Sequence, residues 1–368
     1  MTSAGGDHGE GLELVEIADS AQEAAALALP PLLIRQPLER FLDLQGIGHG
    51  AIEAHQIGEG HSNVTYCLRR GETRVVLRRP PRPPLPPSAH DVLREARIIS
   101  ALAGSEVPVP RVLATCDDES LLGVPFYLME YLDGVVLTDA TPPGLAAPRH
   151  RAAIAELMVA ALAALHSIDT SQGPLAGLGR PAGYLERQLR LFSRLWEAGR
   201  TRELPALDRV TRWLGDNLPQ SGPPAVVHGD YRLGNMLLGA GAPVCLLGIV
   251  DWEMATLGDP LADLGYLTAH LAQRGRPGNV MTELQPVTRE PGFPDGEWMA
   301  SRYAELTGRS IENLCWYRVL AIWKAAIFLE QSYKRFLSGN ENDPWFAEMG
   351  DGVPELAEQA RREAGLAG

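Results

Sequence analysis

Cysteine is scarce and scattered in this chain. The four residues, Cys67, Cys116, Cys245 and Cys315, include no CxxC pair, which argues against a zinc site or a disulfide framework and fits a reducing cytoplasm. Long apolar runs are also lacking: the longest, such as "AAALALPPLLI", are broken by Pro30 and Pro31 and fall well short of the ~18–20 residues of a membrane helix. No membrane span is expected. Basic residues are outnumbered, 33 Lys and Arg against 46 Asp and Glu, for a net charge of −13. That balance argues against nucleic acid or an anionic membrane surface as the main partner, so an anionic ligand has to be met by local cations. No internal repeat is visible. The opening "MTSAGGDHGEGLELVEIADS" has no lysine or arginine, the wrong charge for a secretory or mitochondrial leader, and is read with the residues up to 30 as a loose tail.

What is present is ample core material, 368 residues with 45% apolar content, enough for two lobes. From Ile52 to Leu77 short apolar runs alternate with glycine. Val64, Tyr66 and Leu68, a turn at Arg70-Gly71, then Val75 and Leu77 predict an antiparallel hairpin. "PPRPPLPP", Pro80 to Pro87, can be only an extended connector. In "SAHDVLREARIISALAG" the apolar spacing predicts a helix capped by Ser88 or Asp91 and stopped at Gly104. "PRVLATCDD" and "VPFYLMEYLDG" read as two more strands. Beyond Gly134 long amphipathic helices take over, interrupted by the short strands "NMLLG" and "VCLLGIVDW". The expected architecture is α+β: a sheet-rich lobe over 31–133 and a larger helical lobe over 134–368.

The chemistry concentrates in the helical lobe. "HGDYRLGN" follows the apolar run Ala225-Val226-Val227 and holds Asp230 and Asn235 in one loop; Asp251 stands at the end of "VCLLGIV", sixteen positions after Asn235. A loop and a strand end thereby bring together two carboxylates and an amide oxygen. Hard oxygen donors with open positions suit magnesium, held by one or two carboxylates plus substrate phosphates, and Asp230 is then available to take a proton.

With "HGDYRLGN" and "IVDWEMATLGDPLADL", the sequence resembles the aminoglycoside phosphotransferase and choline kinase branch of the protein-kinase-like fold. The resemblance runs from about Ile52 to Phe336. It implies Asp230 as catalytic base, Asn235 and Asp251 as magnesium ligands, and His228 as a structural member of the loop. In "GEGHSNVTY", Gly58, Gly60, Ser62 and Asn63 would form a nucleotide-covering loop. Arg78 stands where kinases of this fold usually place a phosphate-binding lysine, with Glu95 as its ion-pair partner; alone, it reads rather as an exposed strand-end cation, and the order of motifs favours the ligand. Arginine grips phosphate as a planar fork and lysine as a point charge. The pattern "LRRPP" followed by "AHDVLREARII" is similar to kinase-like domains found alone in bacteria or fused to acyl-CoA dehydrogenases, where arginine is usual. Backbone groups near Glu130 and Tyr131 would meet the adenine.

Other residues receive structural readings. Asp259 suits a helix start, Asp263 would brace the catalytic loop, and His166 would meet a helix dipole. Trp316, Leu320, Trp323 and Ile327 recur at core spacing, which leaves an aromatic wall of an acceptor pocket as the alternative. The resulting expectation is a phosphotransferase using ATP (or GTP) and Mg2+ to modify a hydroxyl of a small molecule. No APE-type segment follows the metal aspartate, which argues against a protein substrate. A pseudokinase-like nucleotide-binding module is the competing class. Among acceptors, a hydroxyacyl-CoA competes with an aminoglycoside; the C-terminal helix offers both Glu330 and the cations Arg318, Lys324, Lys334 and Arg335.

Overall fold

The computed structural model describes residues 16–58, 63–83, 85, 90–275, 277–339 and 343–367. The chain divides into two compact units: residues up to Arg97 together with Arg111–Tyr131, and Ile98–Pro110 together with the chain from Leu132 onward. Among the described residues no helix is long and apolar enough to cross a membrane.

Residues 17–26 of the first unit carry structure where a loose tail up to residue 30 was expected, and residues 1–15 of that tail lie outside the described residues. β1 (Ile17–Ala18) pairs in parallel with β2 (Leu33–Ile34), and Ser20 caps the short α1 (Ala21–Ala26) between them. The cause is apolar: Leu32 and Leu33, with Leu38 and Leu42 of α2 (Arg35–Leu44), join the core formed by Tyr66, Leu77, Phe126 and Leu128. β3 (Glu53–Gln56), β4 (Val64–Arg70), β5 (Thr73–Arg79), β6 (Val112–Cys116) and β7 (Phe126–Glu130) form an antiparallel sheet in the order β3-β4-β5-β7-β6. The hairpin turns at Gly71, and its register sets Val64 opposite Arg79 and Tyr66 opposite Leu77. Asp91 accepts the Arg94 N–H at 2.9 Å at the start of α3 (Val92–Leu102). Pro80–Pro83 of the proline run adopt neither helix nor strand.

The second unit is helical around two small strand pairs. α4 (Pro148–Ser167) and α5 (Tyr184–Gly199) fall where the apolar spacing puts them, but α6 (Pro205–Asp216) was not anticipated. β8 (Ala225–Val227) pairs antiparallel with β11 (Thr256–Gly258), and β9 (Met236–Leu238) with β10 (Leu246–Ile249). α7 (Leu261–His270), α8 (Gly296–Thr307), α9 (Leu314–Leu337) and α10 (Met349–Glu363) complete it. α8 and α10 also went unread, although α8 carries ordinary signals: Asp295 accepts the Trp298 N–H, and Gly308 closes the helix in the left-handed region. Trp316, Leu320, Trp323 and Ile327 of α9 are buried, as core spacing implies. His166 does not simply terminate its helix: it is 2% exposed, with Nδ1 2.8 Å from the Tyr303 hydroxyl and Nε2 3.3 Å from Asp263 Oδ2.

Candidate active site

The loop after β8 is held from behind by one buried carboxylate. Asp263, on the first turn of α7, accepts the His228 N–H at 2.7 Å and the Gly229 N–H at 2.9 Å. Two orphan amides of a turn are thus satisfied by a charged acceptor, the stronger kind of hydrogen bond. Gly229 has φ +89°, and a Cβ there would lie 2.8 Å from Met254 Cβ, so only glycine fits. The Tyr231 hydroxyl donates to the Met158 carbonyl at 2.7 Å and ties the loop to α4.

His228 links the loop to the strand end that carries Asp251. Its Nδ1 accepts the Asp230 N–H at 3.2 Å, which leaves Nε2 to donate to the Val250 carbonyl at 3.0 Å. The Val250 N–H in turn donates to the Asn235 carbonyl at 3.0 Å. Asp230, Asn235 and Asp251 therefore hang on one backbone network. Asp251 sits at φ +66°, a sparsely populated region for a non-glycine residue that costs about 1–3 kcal/mol and concentrates at functional sites.

Both oxygens of Asp230 are engaged. Oδ1 accepts the Tyr266 hydroxyl, and Oδ2 accepts Asn235 Nδ2 at 2.7 Å. Arg232 Nε lies 3.3 Å from Oδ1, and a Cβ at Gly234 would collide with its guanidinium. Burial pushes Asp230 up, but the Arg232 charge and the Tyr266 hydrogen bond outweigh it and hold the carboxyl below its usual range. Burial and the neighbouring Asp230 charge raise Tyr266 well above an ordinary phenol, so it remains a donor. His270 stacks on Tyr266 with ring centroids 3.9 Å apart, and burial lowers it to about 4, which keeps it neutral.

Neither Tyr266 nor Arg232 was singled out from sequence. Tyr266 lies 36 positions after Asp230; its signal was the i,i+3 spacing from Asp263 on α7, which puts both on the face toward the loop. Arg232 was visible inside the motif itself, and only its direction was not.

The side chains that could serve a metal are one amide and one carboxylate. Asn235 Nδ2 also donates to the Asp230 carbonyl at 2.8 Å, which commits the nitrogen and leaves Oδ1 as the amide's donor to a cation. Asn235 and Asp251 could hold a hard divalent ion that takes its remaining ligands from water and phosphate, which is the habit of magnesium. Among the described residues there is no group of three or more His, Cys, Asp or Glu side chains placed for a metal.

In the first unit, Gly58 adopts φ +76°, and among the described residues nothing lies within 4 Å of where a Cβ would stand; Gly60 and Ser62 lie outside the described residues. Asn63 is buried, its side-chain oxygen 3.1 Å from His90 Nδ1. Arg78 is a partner in a buried ion pair: Nε donates to Glu95 Oε2 at 2.9 Å and Nη1 to Thr65 Oγ1 at 3.3 Å, with side chains 11% and 1% exposed for Arg78 and Glu95. That burial removes the reading of Arg78 as an exposed strand-end cation. Glu130 uses its main-chain N–H on the Arg111 carbonyl at 2.9 Å and its carboxylate on the Arg111 N–H at 3.0 Å. The Tyr131 ring lies under the Arg74 guanidinium, 4.3 Å from the ring centroid.

Comparison with known proteins gives a consistent result. Residues 53–287 match the model of the phosphotransferase enzyme family (APH). The mouse acyl-CoA dehydrogenase family member 10 is 35% identical over 336 residues, covering 91% of this chain but only 31% of that protein's length. The crystal structure of a provisionally assigned aminoglycoside phosphotransferase from Ralstonia eutropha JMP134 is 30% identical, with a TM-score of 0.76 over 90% of this chain and 98% of that one. A spectinomycin phosphotransferase in complex with ADP and spectinomycin shares the fold at 13% identity, with a TM-score of 0.57 over 90% of this chain and 99% of that one. On the family match and the kinase-like fold, this chain belongs to the phosphotransferase enzyme family.

Proposed function

We propose that the protein transfers the γ-phosphoryl group of ATP (or GTP) to a hydroxyl of a small molecule, with Mg2+ held by Asn235 and Asp251. The observation that carries this reading is the carboxylate of Asp230, fixed by Tyr266, Asn235 and Arg232 and coupled through His228 and Val250 to Asp251. A turn that merely reverses the chain has no need of a half-buried carboxylate whose two oxygens are both engaged. When bound, magnesium would neutralise charge on the nucleotide phosphates.

Asp230 accepts the proton of the acceptor hydroxyl as the acceptor oxygen bonds to the γ-phosphorus and the bond to the bridging oxygen breaks. The donors on Asp230 fix which lone pair faces the acceptor, a positioning effect of the kind that dominates phosphoryl transfer. Arg78, oriented by Glu95, contacts nonreacting phosphates, with Gly58, Gly60, Ser62 and Asn63 as the covering loop. Glu130 and Tyr131 mark the adenine contact. The acceptor we favour is a hydroxylated metabolite such as a hydroxyacyl-CoA, on the likeness to a protein named for acyl-CoA dehydrogenase, and the proposed setting is the cytoplasm.

The test is transfer from γ-labelled ATP to hydroxyacyl-CoAs, choline-like alcohols and aminoglycosides, with and without magnesium. Magnesium-dependent labelling of an acceptor is expected. Nucleotide binding without transfer or hydrolysis would favour the pseudokinase-like module, and an aminoglycoside reaching about 10⁴ M⁻¹s⁻¹ in kcat/KM while all acyl-CoAs stay inert would overturn the acceptor preference.

A further inference from the structure

α9 carries four cations, and three have partners of their own. Arg318 donates to Glu297 at 2.6 Å and to Thr268 Oγ1 at 3.1 Å; Lys334 Nζ donates to the Ala198 carbonyl at 2.9 Å; Arg335 donates to Ser332 Oγ at 3.0 Å. Lys324 is different. Its Nζ stands 4.7 Å from the centroid of the Phe192 ring and makes no hydrogen bond or ion pair among the described residues. It lines a cavity of about 20 Å³ with Tyr184, Gly229, Asp263, Tyr266 and Tyr317. Gly229 precedes the catalytic aspartate, and Tyr266 donates to that aspartate's carboxylate, so the ammonium borders the flank of the loop from which Asp230 works.

The surrounding carboxylates are committed elsewhere. Asp263 serves the His228 and Gly229 amides, and Asp259 accepts from the Tyr317 hydroxyl at 2.7 Å and the Leu261 N–H at 3.0 Å. Glu330, fully buried, accepts from Thr201 and Arg202. Among the described residues, Lys324 is therefore the charged group lining this cavity that lacks a direct hydrogen-bonding or ion-pair partner. Burial pulls the Lys324 ammonium down to about 8, countered in part by Asp263 and Asp230, as expected of a cation without a close counter-ion. A cavity of this size holds about one water, or the terminal oxygen of a larger ligand that lies outside it.

We propose that Lys324 is a specificity-determining residue of the acceptor site and that the phosphorylated alcohol carries an anionic oxygen, of a carboxylate or a phosphate, which Lys324 holds while the hydroxyl faces Asp230. The inference rests on the phosphotransferase reading and narrows its acceptor. A polyamine acceptor would set its own charge against the ammonium, whereas an anionic one supplies the missing counter-ion.

The test compares 3-hydroxybutyrate, its CoA thioester and glycerol 3-phosphate with the neutral alcohol 1,3-butanediol and with kanamycin, as acceptors and in calorimetric binding. In the wild-type protein the anionic probes should exceed 1,3-butanediol in kcat/KM. In Lys324→Met that ratio should collapse by about 10- to 100-fold, the worth of one hydrogen bond to a charged group, mainly through KM; Lys324→Arg should restore part of it. The carboxylate and phosphate arms tell which oxygen is held. An unchanged ratio in Lys324→Met, or preference for kanamycin or the diol, overturns the role of Lys324 while transfer itself stands. Lys324-dependent binding of an anionic probe without transfer to any acceptor overturns the phosphotransferase reading and leaves the anion site in place. Absence of both transfer and binding overturns the two together.

Discussion

Removing Arg78 should damage the sheet unit before it says anything about nucleotide. Glu95 is 1% exposed and Arg78 11% exposed, joined at 2.9 Å. Taking away one member of such a pair leaves a charge buried without its partner and costs about 3–5 kcal/mol, whereas replacing both by apolar groups of similar volume is often close to neutral. Arg78→Met alone should therefore lower the local stability of the sheet by that amount, and Arg78→Met with Glu95→Met should recover most of it. β5 and β7 pair at Arg78 and Tyr127, so native-state hydrogen exchange of those amides reads the effect directly. At tenfold per 1.4 kcal/mol, protection in the single variant should fall by about 10²- to 10³-fold. The folded double variant then isolates the functional question: loss of one charge-assisted contact to phosphate, about 1.5–3 kcal/mol, should weaken nucleotide binding by about 10- to 100-fold. Protection unchanged in the single variant would refute the buried-pair reasoning. Wild-type nucleotide affinity in the double variant would remove Arg78 from the phosphate site.

Three further expectations follow from the helical unit. Asp230→Asn keeps the side-chain shape and should slow transfer by about 10²- to 10⁴-fold, the range of a general base; single-turnover kinetics that match wild type would exclude Asp230 as the base. Asp251→Asn preserves a residue that tolerates φ +66° and should weaken binding of magnesium-nucleotide far more than of metal-free nucleotide, with equal losses in calorimetry counting against metal ligation. His270, ordinarily near 6.5, is lowered to about 4 by burial, so the unfolded chain binds a proton before the folded one does. Its contribution is complete above pH 6.5 and declines as pH falls to about 4, a loss of roughly 3 kcal/mol; His270→Gln should show a shallower decline across that window, and identical curves would refute the assignment.

Much of this protein is legible locally. The β4–β5 hairpin follows from period-2 alternation around a glycine turn, and α3, α4 and α5 from apolar spacing with ordinary caps, because these signals depend only on neighbours a few positions apart. The motif proposed for catalysis is legible for the same reason: Asp230 and Asn235 share one loop, and Asp251 follows one strand. The structure at residues 17–26 is not legible locally, because β1 forms only by pairing with β2, whose Leu33 meets a sheet assembled from residues further along the chain. His166 was given a helix-end role because only the fold brings Tyr303 and Asp263 to its ring.

The functional side chains divide along the same line. Sequence alone specified which groups can do the chemistry, since a carboxylate, an amide and a second carboxylate are chemical identities that need no coordinates. Tertiary structure decided which groups stand beside them: Tyr266 and Arg232 on Asp230, and Lys324 rather than Arg318, Lys334 or Arg335 lining a cavity with Gly229. The physical reason is rotational. Helical periodicity places a residue on a face, but the phase of that face against its neighbours is set when α7 and α9 pack, and packing depends on contacts distributed over the whole unit.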